Sequence, residues 1–459
     1  MDLYRRVAAE PGVAARYREW RVCLARHYGR PRGDPDLFVL HTHLSTVARV
    51  LGSRTLSPDS PPAGPEELAA VVDGGWFRER DVYNFAEEDF FTWPLHPQIA
   101  REATSLCRGV ADALAEWDPR GPDAGPVDSL HALLDNEDTP DSAGGPPRLA
   151  DAVLSGELRL EDSPTARVLD AACRSGSSIG AAVRLLREAK LSMGLDGYDT
   201  LTQLTSDVAG VDGHPARVVV ARLAYLYGLG DLVREPHPPV LVPVYLADPL
   251  APPRAWDGGQ APAHLVLESS EGRGYRLPDS VAADPAHLDW LFHRLGQYLH
   301  GAQLRAPREG ETEAIDAVMG PLYAYLTSPK RTGLRTLPGL DPRDAGVMCE
   351  TARRIITLGL RGEGVLWTYL VKNAAAPVHL ARRRFDLVLG RAPAGDGPAG
   401  FLARAASLYL REGGRAAVVL GPSEGMDTGA HPPVPELGPI RTVDLTPGPH
   451  PWRLAVAEA

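Results

Sequence analysis

From about residue 165 onward, short apolar runs alternate with helical stretches, and this alternation constrains the fold more than any other feature of the sequence. Strands that alternate with helices form a mostly parallel sheet covered by helices on both faces. The predicted strands are 166–169, 208–211, 240–246, 386–389, 416–420 and 452–456, and the predicted helices between them include 178–188, 216–228 and 400–410. We therefore predict an α/β fold.

Two further regions accompany this sheet. Residues 1–150 predict a mainly helical N-terminal domain, with amphipathic helices at 16–27 and 38–51. Residues 151–459 predict the α/β domain, which a helical insertion interrupts at about 251–380. The aromatic residues of 75–94 are more typical of a core than of a base-stacking platform. We expect the acidic residues 87–89 in the same stretch to form a solvated helix start rather than a metal site.

The composition excludes some classes of protein. Hydrophobic residues make up 44% of the chain, which is compatible with a packed core. The formal net charge of −11 weighs against a free-standing DNA binder, because such proteins usually carry a basic surplus. Local basic candidates are Arg382–Arg383–Arg384, Lys330–Arg331 with Arg335, and Arg353–Arg354.

Cysteine spacing and hydropathy indicate in which compartment we expect the chain. The cysteines are far apart and form no C-x-x-C pair, so we predict neither a metal site nor a disulfide framework. The N-terminus opens with charged residues, and no run of apolar residues is long enough for a membrane span. We expect a cytoplasmic protein with no membrane contact.

Three acidic residues, Asp170, Asp212 and Asp248, end three successive predicted strands. In an open α/β sheet, ligands bind beyond the carboxyl ends of the strands. An acid after the second strand suits the hydroxyl groups of a ribose, and an acid after the third suits an exocyclic amine. The loop after the first strand contains Gly and Ser, which allows its backbone to approach a ligand closely. This layout indicates a nucleoside-containing cofactor, although flavin and nicotinamide proteins share it.

The local sequence strings are more specific, and they resemble the motifs of adenine-N6 DNA methyltransferases. VLDAACRSGS at 168–177 resembles the signature Asp-Pro-Ala-Cys-Gly-Ser-Gly-Thr, and GVDGHP at 210–215 resembles the second motif of that family. PVYLADPL at 243–250 resembles the third motif, and FDLVLG at 385–390 resembles the strand that leads into the fourth. The strings HTHLSTVARVL, NFAEEDFFTW and WTY…N373 resemble large restriction-linked methylases of the type IIG and type ISP kind.

This resemblance covers almost the whole chain and implies a fold, a cofactor and a set of site residues. The implied fold is a Rossmann-like class I methyltransferase sheet with a helical N-terminal domain and a helical insertion. The implied cofactor is S-adenosylmethionine. The positions that match the cofactor motifs of the family are Asp170, Cys173, Arg174, Gly176, Asp212 and Asp248.

The fourth motif departs from the family pattern at the positions that handle the target base. The family continues with Asn-Pro-Pro-aromatic, whereas this chain has Arg391, Ala392, Pro393 and Ala394. Arginine has five donors and no acceptor, so it cannot accept a hydrogen bond from the target amine. Loss of the ring removes base stacking of roughly 1–3 kcal/mol. Arg391 and Pro393 are therefore catalytic positions of a degenerate motif.

The cofactor motifs depart from the family as well. Arg174 stands where the family has a glycine, and Ala171 replaces a proline. The motif expected before the first strand is reduced to about 144–147, without an aromatic residue. A cationic side chain at position 174 would fill the pocket and repel a sulfonium, so we expect S-adenosylmethionine not to be bound. Asp170, Asp212 and Asp248 would then only cap helices or satisfy loop amides.

Three hypotheses for the function remain open at this point. The first is a degenerate, inactive methyltransferase-like subunit of a restriction or phage-defence system. Because the residues after Ala394 leave no room for a target-recognition domain, other subunits would be its partners and DNA would be contacted through them. The second is an active S-adenosylmethionine-dependent DNA (adenine-N6) methyltransferase with altered motifs. The third is a stand-alone nucleic-acid binding module.

Overall fold

The computed structural model describes the chain except for residues 122–123, 136–148, 235, 253, 257–263, 269–273, 332–335, 393–396, 423, 426–436 and 447–450. The helices are α1 (Asp2–Val7), α2 (Pro11–Tyr28), α3 (Pro35–Leu56), α4 (Pro65–Asp73), α5 (Gly75–Arg78), α6 (Ala100–Ala113), α7 (Gly125–Asp135), α8 (Leu149–Asp151), α9 (Ser177–Ser192), α10 (Gly197–Asp207), α11 (Pro215–Leu229), α12 (Asp279–Ala282), α13 (Pro285–Glu309), α14 (Glu311–Thr327), α15 (Pro342–Leu358), α16 (Leu366–Ala374), α17 (Ala376–Arg383) and α18 (Pro398–Tyr409). The strands are β1 (Val82–Tyr83), β2 (Val168–Asp170), β3 (Val208–Asp212), β4 (Val240–Leu241), β5 (Val244–Leu246), β6 (Arg254–Trp256), β7 (His264–Glu268), β8 (Gly274–Pro278), β9 (Lys330–Arg331), β10 (Thr336–Leu337), β11 (Phe385–Gly390), β12 (Leu410–Leu420), β13 (Arg441–Asp444) and β14 (Arg453–Glu458).

The centre of the molecule is a seven-stranded sheet with the order β13-β14-β12-β11-β2-β3-β5. Its strands pair in parallel from β12 to β5, and β14 is antiparallel to both of its neighbours. Side chains alternate between the faces of the sheet, so Leu387 and Leu389 of β11 pack towards α9 and α11 whereas Val388 packs towards α17 and α18. Helices therefore cover both faces, and the α/β fold predicted from the sequence is confirmed.

The N-terminal helices pack on the same core as one face of this sheet. Helix α3 lies against α11, and it is buried along much of its length. The aromatic residues between α4 and α6 lie in this core, as the sequence predicted; they are Trp76, Phe77, Phe90, Phe91 and Trp93. No helix of the described residues is both long enough and apolar enough to cross a lipid bilayer.

The insertion between β5 and β11 has a core of its own and contains a sheet that the sequence analysis missed. Strands β6, β7 and β8 form a three-stranded antiparallel sheet before the helices begin. In β8, Tyr275 and Leu277 point inward and pack with apolar residues of α13, α14 and α15. The predicted helical character holds for the remainder of the insertion, which consists mainly of α12 to α17.

The predicted strand 240–246 is wrong as one continuous strand. Val240 and Leu241 pair in parallel with Val82 and Tyr83 of β1, whereas Val244–Leu246 pairs with β3 in the main sheet. The break falls at 242–243, where Pro243 has no N–H to donate to a neighbouring strand. One apolar run therefore joins the N-terminal region to the edge of the main sheet.

The acidic stretch 87–89 begins a short helix as we predicted, since Asp89 caps the 3-10 helix Phe90–Leu95, but only Glu88 of the three acids is exposed. Asp89 is buried, accepts a hydrogen bond from the Phe91 N–H at 2.8 Å and pairs with Arg49 at 2.5 Å. The Glu87 carboxylate is mostly buried and pairs with Lys372 of α16. These acids have a structural role, because each faces a buried cation.

Lys372 is the centre of a buried ion-pair network that joins three parts of the chain. Its Nζ donates to Asp289 of α13 at 2.9 Å and also to Glu87. Arg78 lies 3.3 Å from the other oxygen of Asp289. Burial opposes ionisation of Asp289, but Lys372 and Arg78 outweigh it and lower the pKa of Asp289 to about 2. The low pKa of Asp289 therefore depends on its two cationic neighbours, Lys372 and Arg78.

The substitution Lys372→Met is expected to destabilise the fold strongly. It removes a cation and leaves two carboxylates inside the protein, and breaking a buried pair in this way typically costs about 3–5 kcal/mol. Urea unfolding gives the free energy directly. The matched control is Arg353→Ala, which breaks the exposed Arg353–Asp316 pair and should cost less than about 1 kcal/mol. Equal losses for the two variants would contradict the structural role of Lys372.

Candidate functional site

The candidate site lies at the carboxyl ends of the parallel strands. The strand order reverses between β2 and β11, because the chain builds the sheet outward from β2 in one direction and from β11 in the other. Ligands of open α/β sheets bind at such a reversal. The loop after β2, the ends of β3 and β5, and Arg391 after β11 all lie at this edge, so the fold brings together the site residues predicted from the sequence.

Asp212, at the end of β3, accepts hydrogen bonds from main-chain groups of the protein itself. One carboxylate oxygen accepts the Arg174 N–H at 2.9 Å, and the other accepts the His214 N–H at 2.8 Å. The Nδ1 atom of His27, from α2, lies 3.8 Å from the second oxygen. The residue is only 2% exposed. Asp212 therefore ties two loops together and presents almost no surface to a ligand.

Asp170, at the end of β2, is equally enclosed. It is buried, and its Oδ1 accepts the Ala172 N–H at 3.3 Å. Burial raises the pKa of Asp170 to about 8, and the nearby carboxylates of Asp212 and Asp135 act in the same direction. The group is therefore mostly protonated at neutral pH and offers little negative charge to a cationic ligand.

Asp248 is the exposed member of the three predicted acids. Its Oδ1 accepts the N–H groups of Leu250 and Ala251, at 2.9 and 3.2 Å, so it orders the turn that follows β5. Its side chain remains open to solvent. All three aspartates thus accept hydrogen bonds from loop amides.

Gly176 and Cys173 have packing roles in the loop after β2. Gly176 has a φ of 94°, and a Cβ at this position would lie 2.5 Å from the Cα of Ala221. The glycine therefore lets the first turn of α9 lie directly against α11. The Cys173 N–H donates to the carbonyl of Val211 at 3.1 Å, and burial raises the pKa of its thiol well above the usual range.

Arg174 does not extend into an open pocket. Its Nε lies 3.3 Å from Oδ1 of Asp135, the last residue of α7, and its guanidinium also donates to the Asp135 carbonyl at 2.9 Å. Both side chains are largely buried. The backbone of Arg174 has a φ of 50°, in the left-handed region that glycine adopts most easily. The arginine thus keeps the loop conformation of a glycine while it contacts a helix from the N-terminal region.

Two further contacts connect the end of α7 to this edge of the sheet. The buried guanidinium of Arg217, in α11, donates to the Leu134 carbonyl at 3.1 Å and to Nε2 of His27. The Nδ1 atom of His131 lies 2.8 Å from the hydroxyl of Ser175. Asp135, His131 and Arg217 were missed by sequence reasoning, because nothing in the sequence connects the short helix that contains Asp135 with a loop some forty residues later.

Arg391 follows β11, and its guanidinium also contacts other side chains of the protein. The guanidinium lies over the ring of Trp452, 4.7 Å from its centroid, and its Nε is 4.0 Å from Glu424. The side chain is 10% exposed. Pro393, the other predicted catalytic position, and the weak motif at 144–147 lie outside the described residues.

Several of the basic candidates make contacts within the protein. Arg382 pairs with Asp279, Arg353 pairs with Asp316, Arg384 donates to the carbonyls of Ser407 and Leu410, and Lys330 donates to the carbonyls of Leu326 and Ser328. Arg335 lies outside the described residues. In the part of the chain that the structure describes, no group of three or more His, Cys, Asp or Glu side chains is placed to hold a metal ion.

Two cavities in the described part of the molecule lie away from the loop after β2 and from the end of β3. One of about 10 Å³ adjoins Lys372 and Asp289. The other, of about 150 Å³, lies between α3 and α6 and is lined in part by Arg54 and Arg108. Pockets for drug-sized ligands usually hold about 300–1,000 Å³, so both are small for a nucleoside cofactor.

Comparison of the sequence with models of known protein families gives no match, and comparison with curated proteins gives no significant relative. The class of protein that the fold defines is therefore an α/β protein with a doubly wound, mostly parallel sheet. Any narrower assignment depends on the sequence motifs and on the contacts at the strand ends.

The substitution Asp170→Asn is expected to stabilise the protein increasingly as pH rises from 4 to 8. In the unfolded chain this carboxyl ionises near its ordinary pKa of 3.8, whereas in the fold its pKa is about 8. The protonated carboxyl of Asp170 therefore makes its full contribution to the free energy of unfolding below about pH 4. This contribution is lost as the pH rises to about 8. At pH 8 the variant should be more stable than the native protein by at least about 1 kcal/mol, the equivalent of one pKa unit.

Urea unfolding at pH 5, 7 and 9 measures this difference. Asp248→Asn is the matched control, since Asp248 is exposed and should show no such trend. Parallel stability profiles for the native protein and Asp170→Asn would show that Asp170 is ionised in the fold.

Proposed function

We propose that this chain is a degenerate, catalytically inactive adenine-N6 DNA methyltransferase-like subunit of a restriction or phage-defence complex. The observation on which the proposal depends is the contact of Arg174 with Asp135. The arginine occupies a position where the family motif has glycine, and its contacts join α7 to the predicted cofactor edge. The retained order of the motifs supports the family, and the altered residues support the loss of catalysis.

The order of the strands supports the methyltransferase scaffold. Numbered along the chain, the strands of the main sheet lie in the order 3-2-1-4-5-7-6, and the seventh is reversed. The order 3-2-1-4-5-6 is common among proteins that bind nucleoside cofactors. This support is an analogy at the level of the fold, so the function has to be argued from the site.

The residues at the strand ends do not fit S-adenosylmethionine. Ribose hydroxyls need an acceptor that they can reach, but Asp212 is only 2% exposed and each of its oxygens accepts a main-chain N–H. A sulfonium would find the guanidinium of Arg174 nearby, and like charges repel strongly where solvent is excluded. The raised pKa of Asp170 also removes a negative charge that would favour the cofactor. We therefore derive no methyl-transfer step.

The predicted target-base position fits its substrate no better. Arg391 has only donors, so it cannot accept a hydrogen bond from an exocyclic amine. The nearby ring of Trp452 is 8% exposed and lies against the Arg391 guanidinium, so it is not available for base stacking. The first motif would contact the cofactor, and the fourth would contact the target base. The altered residues in both motifs therefore oppose methyl transfer.

A structural role in a complex remains for the scaffold. The sheet, its two layers of helices and the buried ion-pair network are intact, so the fold does not depend on the lost chemistry. The net charge of −11 opposes close approach of DNA to the isolated chain. Other subunits would supply the basic contacts to DNA and the sequence recognition, and this chain would supply a docking surface.

Calorimetry with S-adenosylmethionine should give no binding heat with the native protein, and labelled methyl groups should not be transferred to DNA. The reason is that Asp170 and Asp212 are buried and that Arg391 has no acceptor to offer. An active adenine methyltransferase in the same buffers is the positive control. Micromolar binding together with label on adenine would overturn the proposal and establish the active enzyme.

A gel-shift titration separates the subunit from a stand-alone nucleic-acid binding module. The isolated protein should not shift a DNA duplex at low salt, because several of its basic side chains are engaged and its net charge is negative. Binding that falls steeply with added salt would indicate release of counterions by a basic face and would favour the stand-alone module.

A further inference from the structure

Two arginines of the sheet domain donate to the last two carbonyl groups that the structure describes in α7. Arg217 donates to the carbonyl of Leu134 at 3.1 Å, and Arg174 donates to the carbonyl of Asp135 at 2.9 Å. Helix C-termini lack hydrogen-bond partners for their last carbonyls and carry partial negative charge. Cationic donors at this end therefore stabilise the helix in its docked position.

The side chain of Asp135 adds an ion pair to this cap. Its Oδ1 lies 3.3 Å from Nε of Arg174, and the two side chains are 11% and 17% exposed. Partly buried pairs are screened by salt much less than exposed ones. Arg174 therefore contacts both the carboxylate and the carbonyl of Asp135.

The backbone of Arg174 shows that this contact has a conformational cost. Its φ of 50° is unfavourable for a residue with a Cβ, and a glycine would adopt it without strain. A glycine could not reach Asp135. Compared with a glycine, an arginine at this position strains the loop but adds a contact with α7.

The rest of α7 is consistent with a small element docked by few contacts. Val127, Leu130 and Leu134 are its buried apolar side chains, whereas Leu133 is 60% exposed. On the same side as the cap, His131 lies 2.8 Å from the Ser175 hydroxyl. Burial lowers the pKa of His131, so this contact involves a neutral imidazole.

We propose that α7 is a latch, a helix that closes the edge beyond β2 and β3 when docked, and that Arg174 is the residue that holds it closed. The proposal rests on the proposed function only in treating this edge as a former cofactor pocket. Release of the latch would expose the loop 171–176 and free the guanidinium of Arg174. The closed state of the site is therefore a conformational state that depends on one ion pair and two capped carbonyls.

Hydrogen exchange measured by mass spectrometry tests the latch. In Arg174→Ala, amides of α7 should exchange about tenfold faster than in the native protein, which corresponds to about 1.4 kcal/mol of local opening, whereas amides of α9 and α11 should keep their rates. Arg174→Lys should give an intermediate rate, because it keeps the charge without the planar fork. Arg184→Ala is the matched control, since it breaks the half-exposed Arg184–Asp151 pair on α9.

A double-mutant cycle then assigns the effect to the contact itself. Asp135→Asn should accelerate exchange of α7 in the native background and add little in the Arg174→Ala background. Unchanged exchange of α7 in Arg174→Ala, or equal acceleration of α7, α9 and α11, would overturn the latch. Because no cofactor is present in the experiment, its failure leaves the proposed function standing. Methyl transfer by the native protein would overturn that function whatever α7 does.

Discussion

The structure at the strand ends depends on one carboxylate, that of Asp212. Each of its oxygens accepts a main-chain N–H from a different loop, one after β2 and one after β3. A buried carboxylate is stable only when such donors surround it. The hydrogen bond from the Arg174 N–H also fixes the backbone of Arg174 in the conformation from which its side chain reaches α7. The geometry of the whole edge follows from this arrangement.

Arginine supplies most of the positive charge, and much of it is directed inward. Arg49 pairs with Asp89 and caps the carbonyl of Val72, and Arg222 donates to the carbonyl of Val244 and to the side chains of Asn84 and Asn373. A guanidinium is suited to this role because its fixed fork satisfies several acceptors at once.

Much of the main sheet could be predicted from the sequence because its strands are short apolar runs with clear ends. Val208–Asp212 ends in an acid, and His-Pro follows it at the start of α11, where His214 accepts the Arg217 N–H. By contrast, β8 was missed, since the inward Tyr275 and Leu277 alternate with polar residues over only five positions. The break at Pro243 was visible in the sequence but was outweighed by the apolar residues around it.

The candidate site was predicted in its location but not in its contacts. Parallel strands bring their carboxyl ends to one edge, so Asp170, Asp212 and Asp248 necessarily lie near one another. What each side chain contacts depends on elements that are distant in sequence, such as α7, and no local pattern reports such a contact. The sequence indicated that Arg174 departs from the motif that it resembles. It did not indicate that Arg174 would pair with Asp135.

The contacts of Arg174 explain how a cationic side chain is accommodated in the loop after β2. A side chain that only blocked a pocket would leave a strained backbone and an unpaired buried cation, and both are unfavourable. Arg174 instead gains the Asp135 carboxylate and the end of α7, and these contacts offset the strain. Arg174 is therefore integrated into the packing of the fold, and a glycine at this position would remove a structural contact.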